Sequence, residues 1–239
     1  TRGERERILL KLSELKAKDS SFRKIEKAYD EYNELLARLF RIYLLSGGYP
    51  LIVYELIIKN EMRTLDAKWY AEFSRIMLED LKYTSLRMEI AECVLDYLRE
   101  VNRMSPLTDL NKLENYVRIR ANLSKRDLGR FRIEDYIDYF TGTFIMVKAV
   151  EISQIKRPKN TKARITRRIK LFITDPFIFH VINFRGNSDP LSSSKKLLES
   201  PSQTGLLVEH VVCSHFLRLP QPIFYYHIRK KNEETTGEI

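Results

Sequence analysis

The sequence holds only two cysteines, Cys93 and Cys213, set far apart in helical apolar patterns. Two such residues do not make a disulfide framework, so a reducing interior suits the chain. Long hydrophobic runs are absent as well. None approaches the roughly 20 residues of a membrane-spanning helix, and the first residues are polar and charged rather than signal-like. The expectation is a soluble, cytoplasmic protein with no membrane partner. Also missing is any G-x-x-x-x-G-K-[ST] segment, and with it the amide cradle and lysine that hold ATP phosphates. No hydrophobic run ending in paired acids offers a Mg²⁺ site ahead of residue 20. ATP hydrolysis therefore cannot be assigned to these 239 residues. The chain starts at Thr1 without an initiator methionine and reads as a fragment or a trimmed piece.

What is present is charge, and it is local. The balance is 42 basic against 32 acidic residues, a net +10. Residues 155–174 carry Lys156, Arg157, Lys159, Lys162, Arg164, Arg167, Arg168 and Lys170 without one acid. Such a run fits either a solvated hairpin tip or a wing that meets nucleic-acid phosphates through salt-sensitive contacts. A charged fraction of 31% with few Gln residues fits a thermophile. The length suits two or three small units with their own cores.

Taken in order, residues 4–18 read as a charged amphipathic helix, and a second, longer helix starts at Ser20 or Ser21 and carries an apolar stripe as far as Ser46. Gly47 can take the left-handed conformation that ends a helix, and Pro50 can begin the next. Residues 46–50, Ser-Gly-Gly-Tyr-Pro, thus read as a tight corner between helices. Helices follow over 51–59 and from about Thr64 to Leu81, the latter with the only tryptophan, Trp69. Residues 1–82 form, on this reading, a four-helix unit.

The stretch 86–152 organises the rest. It holds an amphipathic helix, a shorter basic helical segment, a helix opening at Ser124, and an apolar β-branched run after Gly142. Leu128, Phe131, Tyr136, Ile137 and Phe140 recur at helical spacing, so 124–140 reads as one helix with Ser124 as its N-cap. Three helices followed by a strand suggest a winged helix-turn-helix, with the third helix offered to a groove of double-stranded DNA. Arg118, Arg120, Lys125, Arg126, Arg130 and Arg132 flank that helix start, and Lys162, Arg164 and Arg167 lie in the basic run. All of these but Arg132 are the candidate DNA-binding side chains, with Lys125, Arg126 and Arg130 foremost. Glu134, Asp135 and Asp138 further along would repel a duplex, and a winged helix can equally serve as a packing module.

Beyond the basic run, Asp175-Pro176 reads as a strand end with Asp175 capping a helix, and 186–203 reads as a Ser- and Pro-rich mobile connection. His210, Cys213, His215 and His227 invite a zinc reading, but Cys213 and His215 point apart on a helix.

Several pieces resemble a known family in the same order. A long helix running into Gly-Gly-Tyr-Pro, a helical pair and a winged helix look like the region downstream of the nucleotide-binding core in archaeal-type AAA+ and STAND P-loop ATPases. Residues 169–178, Ile-Lys-Leu-Phe-Ile-Thr-Asp-Pro-Phe-Ile, are similar to the segment after the wing in that family. Residues 205–212, Gly-Leu-Leu-Val-Glu-His-Val-Val, match its "G-x-L-x-E-x-x-V" helix, and Tyr225-Tyr226 with Gly237-Glu238-Ile239 resembles its last strand pair. The resemblance implies that residues 1–82 are an ATPase lid. It implies that Gly48, Tyr49 and Pro50 close over nucleotide, and that ATP and Mg²⁺ bind only in a longer protein with an upstream P-loop core. It further implies that 176–239 belong to a PD-(D/E)xK nuclease-like domain in which Glu209 is the helix carboxylate. The central aspartate and the Glu-x-Lys strand are absent, so no catalytic set is complete and Glu209 also reads as an ordinary helix carboxylate.

The fold expected is therefore α+β, mainly helical: a lid-like bundle over 1–82, a winged helix over 83–175 and a truncated α/β portion over 176–239. The expected function is the non-catalytic lid and winged-helix portion of such an ATPase, contacting DNA and partnered by its ATPase core or by copies of itself. A standalone DNA-binding regulator is the alternative, and a metal-dependent nuclease is a third reading if the missing residues exist in the gene.

Overall fold

The structure is a computed structural model that describes residues 22–58, 65–101, 107–124, 127, 132–152, 165–216 and 224–225. The expected helix 4–18 lies outside them. The chain divides into two compact units, Thr1–Tyr43 and Leu44–Ile239. It is mainly helical with one small sheet.

In the first unit, helix α1, Phe22–Ser46, supplies the described residues, with the Phe40 and Tyr43 rings stacked one turn apart at 6.4 Å. The end of α1 crosses into the second unit, where Leu44, Leu45 and Ser46 are buried.

The second unit continues with α2, Pro50–Val53, which widens into a π-helical turn over Tyr54–Ile58. Helix α3, Ala67–Glu79, starts three residues later than expected because Asp66 turns its carboxylate onto the Lys68 N–H at 2.9 Å and so caps it. A 3₁₀ turn, Asp80–Tyr83, leads to α4, Met88–Val101. Strand β1, Leu107–Asp109, runs straight into α5, Leu110–Arg120. Helix α6, Ile133–Gly142, precedes β2, Met146–Ile152, and β3, Ile165–Ile173. Then come α7, Pro176–Asn183, α8, Pro190–Glu199, α9, Pro201–Phe216, and the short β4, Phe224–Tyr225.

Two sequence expectations need correction. The single helix over 124–140 is not formed, because Arg132 sits at the N-cap of α6 in extended conformation (φ −87°, ψ 133°) and breaks it. The local signal at Ser124 was sound: its hydroxyl accepts from the Asp127 N–H at 3.2 Å and donates to the Asp127 carboxylate. The mobile connection over 186–203 is instead mostly helix. Asp189 caps α8 through the Ser192 N–H at 3.1 Å, and Pro190 stands at the first helical position, where its missing N–H costs nothing. Ser194 is fully buried on that helix and bonds the Tyr70 hydroxyl at 3.0 Å and the Pro190 carbonyl at 2.8 Å.

The sheet has strand order β1-β3-β2-β4. Strand β3 pairs antiparallel with both β1 (Thr108 opposite Ile169) and β2 (Lys148 opposite Leu171). Strand β4 lies parallel to β2, with Val150 opposite Phe224. A strand from the last segment thus extends the sheet of the middle segment, and residues 82 and 175 both lie inside the one compact unit Leu44–Ile239.

Helix α7 sits at the centre. Six of the eight residues of its sequence, Pro-Phe-Ile-Phe-His-Val-Ile-Asn, are apolar, and all eight are buried. A helix with no exposed face has to be covered on every side. Here α3, α4, α8, α9 and β3 cover it. Phe177 meets the rings of Tyr70 and Phe73 at 5.0 and 5.1 Å.

Candidate functional site at the glycine corner

The corner after α1 is built as its residues dictate. Gly47 adopts φ +60°, the left-handed region where a side chain is strained, and Pro50 opens α2 with the Val53 N–H returning to the Tyr49 carbonyl at 3.0 Å. A carbonyl in the last turn of α1, that of Leu44, is buried and has to be satisfied from outside the helix. His180 in the middle of α7 does this, with Nε2 at 2.9 Å. A carbonyl only accepts, so the His180 proton is on Nε2.

The second tie is Asp175. Its Oδ1 caps α7, accepting from the N–H groups of Phe177 (2.8 Å) and Ile178 (3.4 Å). Its Oδ2 accepts from the Gly48 N–H at 2.7 Å, across 127 positions of sequence. A Cβ on Gly47 would stand 1.9 Å from Asp175 Oδ1, so the carboxylate imposes glycine at 47 by volume as well as by φ. Burial pushes the Asp175 pKa up, and the N–H groups of Gly48, Phe177 and Ile178 pull against that rise. Tyr49 packs edge-on against Phe73 at 4.7 Å, and burial with the nearby Asp175 charge pushes its hydroxyl up to about 12. Of the expected lid residues, Gly48 and Tyr49 are therefore engaged with α7 and α3, and Pro50 starts α2. In the sequence the corner and the Asp-Pro segment read as two separate pieces. Their direct contact carried no sequence signal, since a cap and a corner each look complete locally.

A second buried histidine lies at the far side of α7. His210 Nδ1 accepts from the Ile173 N–H at 2.7 Å, which puts its proton on Nε2. Burial lowers His180 to about 4. Burial and the nearby Lys170 charge lower His210 to about 3. His210 is thus a neutral core acceptor. Among the described residues no group of three or more His, Cys, Asp or Glu could hold a metal ion, and His227 lies outside them. Glu209, the expected nuclease-like carboxylate, is bonded to Lys170 of β3 at 2.9 Å and ties α9 to the sheet. Cys213, one turn on, packs against Val147, Ala149 and Phe172.

The expected DNA-binding residues lie only partly among the described ones. Arg118 bonds Asn115 at 2.8 Å on its own helix. Arg120 stands 3.6 Å from Glu100 and 5.6 Å from the centre of the Tyr116 ring. Lys125, Arg126, Arg130, Lys162 and Arg164 lie outside the described residues, and Arg167 is placed in β3 by its backbone alone. Helix α6 buries Ile133, Tyr136, Ile137 and Phe140 and exposes Asp135 and Asp138, the latter paired with Lys148 at 2.7 Å. No family model, no curated protein and no solved structure matches this chain.

Proposed function

We propose that the chain is the lid and winged-helix portion of an archaeal-type AAA+/STAND ATPase, which binds ATP with Mg²⁺ in the full-length protein through a P-loop core outside this sequence. The observation that carries the reading is the Gly48 to Asp175 hydrogen bond. Two of the family-like pieces, Gly-Gly-Tyr-Pro and Thr-Asp-Pro, meet there through the backbone of one and the side chain of the other. The helix–strand–helix order of α4, β1 and α5, then α6 and the β2–β3 pair with β1 beside β3, supports the winged helix. DNA contact falls to the basic stretches on either side of α6 rather than to α6, whose exposed face bears Asp135 and Asp138. A like-charged face does not enter a groove.

The test uses the full reading frame. Tyr49→Ala should weaken binding of a fluorescent ATP analogue by about tenfold, a loss of about 1.4 kcal/mol. A frame without a P-loop, or one whose nucleotide affinity ignores the substitution, removes the lid assignment. For DNA, Lys125→Glu with Arg130→Glu should weaken binding to a duplex and flatten its salt dependence. An unchanged gel-shift midpoint takes DNA contact away from that segment.

A further inference from the structure

Two consecutive residues, Thr174 and Asp175, hold two different turns. Asp175 reaches the corner at Gly48. Thr174 reaches the turn between α6 and β2: its hydroxyl donates to the Phe144 carbonyl, stands 3.2 Å from the Ile145 carbonyl, and its own N–H donates to Ile145 at 3.1 Å. Both turns use left-handed backbone, Gly47 at φ +60° and Phe144 at φ +58°. Phe144 gains little packing in return, with 73% of its surface exposed. Neither end of the pair is loose. On one side the Ile173 N–H is bonded to His210, and on the other α7 is buried throughout and holds the Leu44 carbonyl.

We propose that Thr174-Asp175 is a two-headed latch that makes the corner at 47–48 and the turn at 144–145 open and close together. A displacement of the Asp175 carboxylate from Gly48 shifts the peptide it shares with Thr174, and the hydroxyl that secures Phe144 moves with it. Whatever loosens the corner then loosens the turn leading into the sheet. Linkage requires the reverse to hold with the same coupling. The competing arrangement is two adjacent caps that act independently.

Amide hydrogen exchange on the 239-residue chain separates the two. Asp175→Asn keeps an oxygen to cap α7 but turns an NH₂ toward Gly48, so it breaks the latch and spares the cap. The Gly48 amide should exchange about tenfold faster. The amide of Ile145, which bonds the Phe140 carbonyl and touches neither Gly48 nor Asp175, should also speed up. Thr174→Val is the mirror experiment, removing only the hydroxyl: the Gly48 amide should speed up although residue 174 does not touch it. The proposal is overturned if each variant changes its own turn and leaves the other at the wild-type rate. Loss of protection through the middle of α7 in both variants overturns it too, since that marks a core contact rather than a latch. If only Asp175→Asn disturbs α7, the Gly48 rate in Thr174→Val decides.

Discussion

The outer face of α3 and the corner against α7 hold their polar groups in opposite ways. On α3, Arg75 bridges Glu72 at 2.6 Å and Glu79 at 2.9 Å, and Lys82 adds a third pair at 3.3 Å. They are more numerous than the two bonds at the corner, His180 to Leu44 at 2.9 Å and Asp175 to Gly48 at 2.7 Å, and the shortest of them is shorter than either. Yet water can replace any partner on α3, and salt screens the charges. At the corner the Leu44 carbonyl lies inside the protein, and its loss of a donor is not made good. Number alone therefore does not separate the two regions; the burial of the Leu44 carbonyl and of His180 does.

Acid should give the widest separation between them. Both buried histidines have folded pKa values below the unfolded 6.5, His180 about 4 and His210 about 3. The unfolded chain takes up protons first as pH falls, so their stabilisation is whole above pH 6.5 and is lost on the way down to about 4 and 3. The steepest loss should be about 3 kcal/mol per pH unit for the two groups together. Asp175, with its raised pKa, acts in the opposite sense, adding stability below the unfolded value and losing it as pH rises through the folded one. Urea midpoints recorded from pH 7 to 4 check this, and a flat profile would place the imidazoles in contact with water.

His180→Ala should cost about 4 kcal/mol, since it opens a cavity and strands the Leu44 carbonyl. Gly47→Ala follows at about 3 kcal/mol, from left-handed strain plus the expulsion of Asp175. Both are read from urea denaturation at neutral pH. A loss under about 1 kcal/mol in either would mean the corner relaxes. Phe144→Gly should stabilise the chain by about 0.5 kcal/mol, because glycine relieves the positive φ and little packing is forfeited. At the bottom of the scale, Arg75→Ala should leave the urea midpoint within measurement error, in low salt and in 1 M NaCl alike. A clear shift there would erase the contrast between the two regions.

Local chemistry was readable along the chain wherever a residue acts on its near neighbours. The Gly47 stop, the Pro50 start, the Asp175 cap and the Ser124–Asp127 pair all appear where the letters place them. The misread stretches have local causes as well. Serines in 190–199 looked like a linker until Asp189 and Pro190 were seen to launch a helix, and the apolar repeat through 124–140 hid an extended Arg132. In the candidate site, Gly48, Tyr49 and Pro50 were nameable from the motif. His180 was not, because a histidine inside a mainly apolar octet carries no sign of the carbonyl it serves.

The sequence by itself determined the punctuation of this protein: which residues end a helix, cap one or must lie buried, because those preferences act over three or four positions. Only the tertiary structure decided that Asp175 closes on Gly48, that His180 serves Leu44, and that Glu209 is spent on Lys170. Those pairings are made by bringing distant segments into contact. A carboxylate, an imidazole or a backbone amide has the same chemistry whichever partner the packing of α7 brings within 3 Å.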